Sequence, residues 1–474
     1  MASRVNEVGG ERAEKQSAWR ELARSGRLFQ FVLLCLGVWL HAADTLVTAT
    51  IMPAVVEDIG GVAYVNWTIS LYQIGSILAG TATGVLSRRL GLRRMLIAGA
   101  AIYALGCLAN ALTPAMAIML AARFVQGLGG GAMVSLSYVA IQLLFPERLW
   151  TRLMAIVAMI WGVAALCGPL IGGLFAHAGS WRGLFWTFAA QAVLLGLAAR
   201  IFLDDGVSAR PGSRSWPWSP LVLLAAGTLL IAEAGAVARP GLSAPLGAAG
   251  LFLLYAAARA DRRAANRLLP GQLLAITTGL GAGLLMVFML SAATTAFWAY
   301  GPLILQIAFG TDPLVSGYLM AAEAIAWSLC TMMIAGVRPS TDWLVIRLGA
   351  ALIALSGVGF TILMPLGALS GILLSMVLQG AGFGLCWPFV VRRMVMLAPA
   401  GERDLAASAA PTVQRIGYAV GAAAAGIAAN AVGLGDGATR AAAEAAAFWV
   451  FAAFLPLFAI GCLAALRFTA PAAR

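Results

Sequence analysis

Lysine is almost missing from this chain. Of 31 basic residues only Lys15 is not an arginine, and it stands in the polar stretch Ala13-Glu14-Lys15-Gln16-Ser17. No glycine-rich loop closed by Lys-Ser/Thr is therefore present to cradle a nucleotide phosphate, and an ATP-driven pump would need one here or on a partner. Histidine is as scarce: His41 and His177 are the only two, too few for a histidine-based metal or catalytic cluster. The six cysteines (Cys35, Cys107, Cys167, Cys330, Cys386, Cys462) each fall in an apolar run with no C-x-x-C spacing, which argues against a disulfide framework or a zinc site. Charge itself is thin at 11% of residues, against the roughly 25% usual in soluble proteins. With 61% hydrophobic residues and a mean hydropathy of +0.91, a water-soluble globular class is excluded.

What is present is hydrocarbon. At about 20 apolar residues per spanning helix the 474-residue chain has material for at most about 14 spans. The sequence places them near 28–53, 64–86, 94–112, 115–143, 152–176, 182–203, 218–238, 243–259, 279–308, 314–337, 345–365, 369–391, 406–433 and 445–466. Arginine positions test that count. With the amino terminus inside, only Arg182, Arg239 and Arg440 fall in outward segments and Arg123 and Arg415 within spans, leaving the other 26 basic residues on the inner side. The positive-inside rule demands such a bias. The net charge of +12 is thus mainly an orientation signal; its arginines are scattered, with no stripe suited to nucleic acid.

Both flanks of the pair 218–238 and 243–259 are arginine-rich, which fits a hairpin inserted between two blocks of six helices. The expected fold is an all-α polytopic membrane protein with 14 transmembrane helices and both termini cytoplasmic. Its parts are a polar segment 1–27, a first six-helix bundle 28–203, a linker with the extra hairpin 204–270, and a second six-helix bundle with a short tail 271–474. An internal repeat supports the two blocks. Gln126-Gly127-Leu128-Gly129-Gly130-Gly131 in the fourth span returns as Gln379-Gly380-Ala381-Gly382-Phe383-Gly384, and the same offset carries Gly168 onto Gly421. Repeated bundles of this kind form the substrate path of rocker-type transporters, with sites near the midplane.

Charges at mid-bilayer depth cost roughly 2.5–3.5 kcal/mol on insertion scales, so those retained are functional candidates. They are Asp44, Arg123, Glu233, Glu323 and Arg415. Asp44 and Arg123 lie at comparable depths, about 25 Å up the first span and about 13 Å down the fourth at 1.5 Å per residue, which allows an ion pair or a water-mediated link. Glu323 is about 15 Å deep and is the only acid within the spans of the second block. A carboxylate there, dry at one stage and wet at another, meets the physical requirement for proton coupling; the alternative is a structural acid. Trp327, one turn later, offers a ring to a cationic or aromatic substrate. Glu233 in the hairpin could couple protons or snorkel to the outer interface. His41 and Asp44, spaced i, i+3, could share a proton, although a lone core histidine is the commoner case.

Several motifs then resemble the major facilitator superfamily, and within it the 14-helix drug:proton antiporter branch. Asp44 followed nine residues later by Pro53, and Trp67 with Tyr72, match the first two spans of that branch. Leu120-Ala121-Ala122-Arg123-Phe124-Val125-Gln126-Gly127 matches its arginine motif in the fourth span, and Gly168-Pro169-Leu170-Ile171-Gly172-Gly173 its exporter motif in the fifth. Pro169 cannot donate to a preceding carbonyl while Gly168, Gly172 and Gly173 permit close approach, so that stretch reads as a tight seal or pivot. Tyr300-Gly301-Pro302 resembles the exit of the ninth span, and Arg415-Ile416-Gly417-Tyr418 the thirteenth.

One position departs from the pattern. The loop Gly84-Val85-Leu86-Ser87-Arg88-Arg89-Leu90-Gly91 has Arg88 where the family has an acid, so the latch ascribed to that acid does not carry over. The arginines there could contact lipid phosphates or an acid on the facing bundle.

The resemblance implies a secondary transporter, expected to exchange amphipathic or cationic small molecules for protons by alternating access; a dedicated carrier of a metabolite, siderophore or sugar is the alternative. It is not expected to be an enzyme. Proton coupling is expected of Asp44, Glu323, Glu233 and Arg123, cavity contacts of Trp327, Arg415, Tyr300 and Phe297, and gating of Gly168, Pro169, Gly172, Gly173, Gly84, Arg88 and Gly91. Arg415 could equally be a cation near the cytoplasmic boundary. No cofactor or metal is expected. The expected partners are a small-molecule substrate, protons and membrane lipids, with no nucleic acid, for a monomer in the cell membrane.

Overall fold

The computed structural model describes residues 27–60, 64–177, 180–203, 217–237, 240–334, 341–434 and 439–470. Most of the polar segment 1–27, and Arg210, Arg214, Arg239, Arg338 and Arg474, lie outside the described residues, as do the side chains of Pro53, Pro169 and His177. The described chain is helical, with no strand: α1 Arg27–Ile59, α2 Val65–Leu90, α3 Leu92–Ala111, α4 Met116–Leu144, α5 Glu147–His177, α6 Trp181–Phe202, α7 Trp218–Ala236, α8 Pro240–Arg263, α9 Gly279–Phe309, α10 Pro313–Ile334, α11 Asp342–Leu363, α12 Leu369–Leu397, α13 Arg403–Ala431, α14 Arg440–Ala452 and α15 Leu455–Phe468.

Among the described residues, 13 stretches are long and apolar enough to cross a bilayer, the last running from Arg440 to Phe468 through both α14 and α15. The sequence predicts that stretch as one helix. It breaks beside Pro456, which supplies no backbone donor and sits in the first turn of α15. The helix outside the 13 is α13, whose 29 residues are dominated by alanine and glycine and include Asp404 and Arg415. Several helices run past their predicted ends: α1 continues beyond Pro53 to Ile59, and α12 carries Arg392 and Arg393. Charged or proline residues end an apolar run without ending a helix.

Helices α1 to α6 pack mainly on one another, and α9 to α15 do the same; α7 and α8 pair and lean on α13 and α2. Glycine sets the closest approaches. A methyl group on Gly127 would lie 2.0 Å from the Tyr72 carbonyl oxygen, and one on Gly131 2.2 Å from that of Ser76, so α2 and α4 meet backbone to backbone. The second bundle repeats this contact. Methyl groups on Gly380 and Gly384 would fall 2.1 Å and 2.3 Å from the carbonyl oxygens of Glu323 and Trp327. The repeated glycines therefore put Glu323 where the first bundle has Tyr72, and Trp327 where it has Ser76.

Gly91 is the only residue between α2 and α3, at φ +80°, a conformation that L side chains rarely adopt. It turns the chain sharply enough to leave Arg88 and Arg89 in the last turn of one helix with Arg93 and Arg94 in the first of the next.

Candidate functional site

In the first bundle Asp44 of α1 and Arg123 of α4 form an ion pair sealed from solvent. One Arg123 nitrogen reaches both Asp44 oxygens at 3.0 and 2.9 Å, and Arg123 is 1% exposed. Gln126, one turn along α4, donates to Asp44 at 3.1 Å and accepts from Arg123 at 2.9 Å and from Asn110 of α3 at 2.8 Å. These bonds satisfy most of the lone pairs and donors of a pair that would otherwise be expensive to bury.

Tyr72 links this cluster to the other bundle. Its ring lies under the Arg123 guanidinium at 4.2 Å and its hydroxyl is 2.7 Å from His41 Nδ1. The far nitrogen of His41, Nε2, accepts from Arg415 of α13 at 3.0 Å, and Arg415 also donates to Ser76 Oγ. Because Arg415 can only donate, Nε2 must be the acceptor, so the neutral imidazole carries its proton on Nδ1 and donates to the Tyr72 oxygen. A chain of contacts thus runs Asp44, Arg123, Tyr72, His41, Arg415 across the bundle interface. The structure records no hydrogen bond between His41 and Asp44.

Glu323 of α10 has a different setting. It is 5% exposed, and its carboxylate accepts from Trp298 Nε1 at 2.5 Å and Gln379 Nε2 at 2.9 Å, both neutral donors; among the described residues no cation pairs with it. Gln379 is the repeat partner of Gln126, so each bundle aims the same glutamine at its own buried acid. Trp327 stacks on Phe383 with centroids 4.8 Å apart, leaving its buried indole N–H without a partner, and Gln379 Oε1 is likewise unsatisfied. Among the described residues, a buried donor one turn along α10 and a buried acceptor on the glutamine that holds the carboxylate are thus left open.

Other expected residues fall elsewhere. Phe297, expected at the cavity, is 1% exposed and stacked 5.0 Å from Phe360, so it is core packing of the second bundle. Its neighbours close around it because it faces α11, whereas Trp298, one residue on, reaches Glu323. Tyr300 is half-buried and its hydroxyl lies by Gly426 of α13. The Glu233 carboxylate, half-buried on α7, has no hydrogen-bond or ion-pair partner among the described residues. Gly168 and Gly172 of α5 press on Leu46 and Thr50 of α1, where methyl groups would lie 3.0 and 2.8 Å away, but Gly173 meets nothing within 4 Å.

At the Arg88 end the two bundles are clasped. Arg88 pairs with Asp404 at 3.0 Å and donates to the Gly401 carbonyl at 3.1 Å. Arg392 pairs with Glu147 at 2.8 Å, and Trp387 donates to the Tyr138 hydroxyl at 3.2 Å. Gly84 lies so close to α13 that a methyl group would sit 2.7 Å from Ser408 Oγ. Tyr72, Trp298, Gln379, Asp404 and Glu147 were not among the expected site residues. Tyr72 and Gln379 stand inside motifs that carry other arguments, and the reversed charge at Arg88 leaves an acid on the facing bundle as one of two alternatives, the other being lipid phosphates; Trp298 has no such signal.

The family model of the Major Facilitator Superfamily matches residues 34–370. A probable multidrug-efflux transporter of Mycobacterium tuberculosis is 31% identical over 97% of this chain and 98% of its own. An uncharacterized transporter of Escherichia coli is 27% identical over 93% of this chain and 95% of its own. Among solved structures, a proton:xylose symporter superposes with TM-score 0.65 at 16% identity, covering 94% of this chain and 95% of that one. The human organic anion transporter MFSD10 does so with TM-score 0.64 at 16% identity, over 92% and 98%.

Proposed function

The chain belongs to the major facilitator superfamily, and from that premise we propose that it exports amphipathic small molecules, cationic ones among them, in exchange for protons by alternating access. It is a multi-pass transporter of the cell membrane, and its family binds small-molecule substrates without chemical turnover. In this reading α13 joins the 13 apolar stretches as a further span, giving 14 with both termini cytoplasmic. The chain then divides at 28–203, 204–270 and 271–474, after a cytoplasmic segment 1–27. A dedicated carrier of a metabolite remains the second reading.

The observation that carries the proposal is Glu323, a buried carboxylate held by two neutral donors with no counter-ion among the described residues. An uncompensated charge at that depth is costly, and a proton removes the cost without stranding a partner cation. Asp44 lacks that freedom, since neutralising it strands Arg123. Proteoliposome flux of an amphipathic dye tests the reading: accumulation should follow an imposed pH gradient and stop when a protonophore collapses it. Equal flux after collapse would sink proton coupling.

On this topology the clasped end is cytoplasmic, and the conformation is closed at that end. Arg88 with Asp404 then supports a latch of reversed sign, basic on the first bundle and acidic on the second. Arg88→Asp would set two carboxylates together. A penalty of about 1 kcal/mol, the scale of partly exposed pairs, shifts a two-state equilibrium roughly fivefold. Labelling of a cysteine at Ser408 by an impermeant maleimide, in inside-out vesicles of a chain without its native cysteines, should rise accordingly. The double swap Arg88→Asp with Asp404→Arg should bring it back; labelling indifferent to the swap would remove the pair from gating.

A further inference from the structure

Among the described residues, four arginines that join or brace the two bundles each face a carboxylate. Arg123 has Asp44, Arg88 has Asp404, Arg392 has Glu147, and Arg393 has Asp342 at 2.8 Å. Among the described residues no carboxylate pairs with Arg415: its partners are the Ser76 hydroxyl and the neutral nitrogen of His41. It is 8% exposed, so a full positive charge sits almost out of solvent with guanidinium donors to spare. Buried charges are paired unless a ligand completes them.

The surroundings are suited to an organic anion. Trp161 of α5 meets the His41 ring edge-on at 5.6 Å, and half-buried Tyr418, one turn beyond Arg415, has its hydroxyl held by Gln414 at 3.1 Å. Aromatic surface from both bundles therefore borders one fixed cation. Ser76 and His41 orient the guanidinium from the first bundle, while Arg415 itself belongs to the second. A carboxylate or sulfonate received by its remaining donors would bind across the moving interface, where differential contact can bias the two states.

We propose that Arg415 anchors an anionic group of the substrate, so that the preferred cargo is an aromatic amphiphile bearing a carboxylate or sulfonate, zwitterions included. The inference rests on the reading that small molecules cross between the two bundles. It narrows that reading, because Glu323 and Trp327 alone would favour cations. The anion held by Arg415 also touches the hydrogen-bonded chain to Asp44: drawing the guanidinium toward a ligand takes its donor from His41 and loosens the hold on Tyr72.

Rhodamine B and its ethyl ester differ by one carboxylate on the same dye and make the test. Binding to the purified full chain is read by fluorescence polarisation, and flux is read in proteoliposomes. The wild type should bind the carboxylate form about tenfold or more tighter than the ester, the scale of a charged hydrogen bond. Arg415→Gln should abolish that preference by weakening the acid alone, with ester affinity held within about twofold, and Arg415→Lys should keep part of the preference. Equal weakening of both dyes would mean a structural arginine and overturn the proposal, as would a wild type that binds neither dye or does not discriminate. The two readings fail separately. Carboxylate preference without gradient-driven flux leaves the anion site standing and sinks proton exchange; gradient-driven flux of both dyes, unaffected by Arg415→Gln, does the reverse.

Discussion

Asp44→Ala is expected to destabilise the protein by about 3–5 kcal/mol, the usual cost of removing one partner from a buried ion pair. The loss comes from what stays behind more than from what is removed. Arg123 is sealed in the first bundle, and without the carboxylate its remaining acceptors are Gln126 Oε1 at 2.9 Å and the Thr68 carbonyl at a long 3.4 Å. Neither carries charge. The Gln126 amide would keep only the weak acceptor Cys107 Sγ at 3.1 Å, while Tyr72 would remain under an uncompensated cation. Replacing both members, as in Asp44→Leu with Arg123→Met, removes the stranded charge and should recover much of the loss, since apolar substitution of a whole buried pair is often near neutral. The apparent melting temperature of the purified protein in detergent checks this: several degrees lower in the single variant, closer to wild type in the double. A single variant that melts like wild type, or a double worse than the single, would contradict the energetics assigned to the pair.

That pair could be anticipated from residue counts, because depth along a helix is arithmetic at 1.5 Å per residue. Helix positions were legible for a similar reason: apolar runs and the sides on which arginines fall constrain a membrane chain strongly. The glycine repeat announced where helices touch, and backbone contacts of α4 with α2 and of α12 with α10 follow it. What periodicity does not encode is rotation and docking. Phe297 and Trp298 are neighbours, yet the first packs inside the second bundle and the second reaches Glu323, which depends on how α9 is turned against α10 and α11. The same holds between bundles. Arg415 was visible as a buried charge, but its partners His41 and Ser76 lie more than 300 residues away in sequence and meet it only through the contact of α13 with the first bundle. Asp404 opens α13 close to the predicted span boundary, where nothing local distinguishes it from an ordinary first-turn acid.

Glu323→Gln is expected to have the largest functional effect. The amide keeps the shape of the side chain and one oxygen for Trp298 Nε1, and a flipped Gln379 amide can turn its otherwise unpaired oxygen to accept from the new NH2, so the fold and the α10–α12 contact should survive. It cannot take up or release a proton. A transporter whose empty return step depends on a protonated residue 323 would then behave as if permanently loaded. Downhill exchange of substrate for substrate should continue within about threefold of wild type, whereas accumulation against a gradient, which in wild type is bounded by tenfold per pH unit for one proton, should vanish.

The measurement that goes furthest is proton movement itself. Proteoliposomes enclosing a pH-sensitive dye, clamped at zero membrane potential and given a saturating pulse of substrate, should show substrate-dependent proton flux in wild type and none in Glu323→Gln, while labelled substrate still exchanges in both. Proton flux of wild-type size in Glu323→Gln would contradict the account and move the coupling site elsewhere.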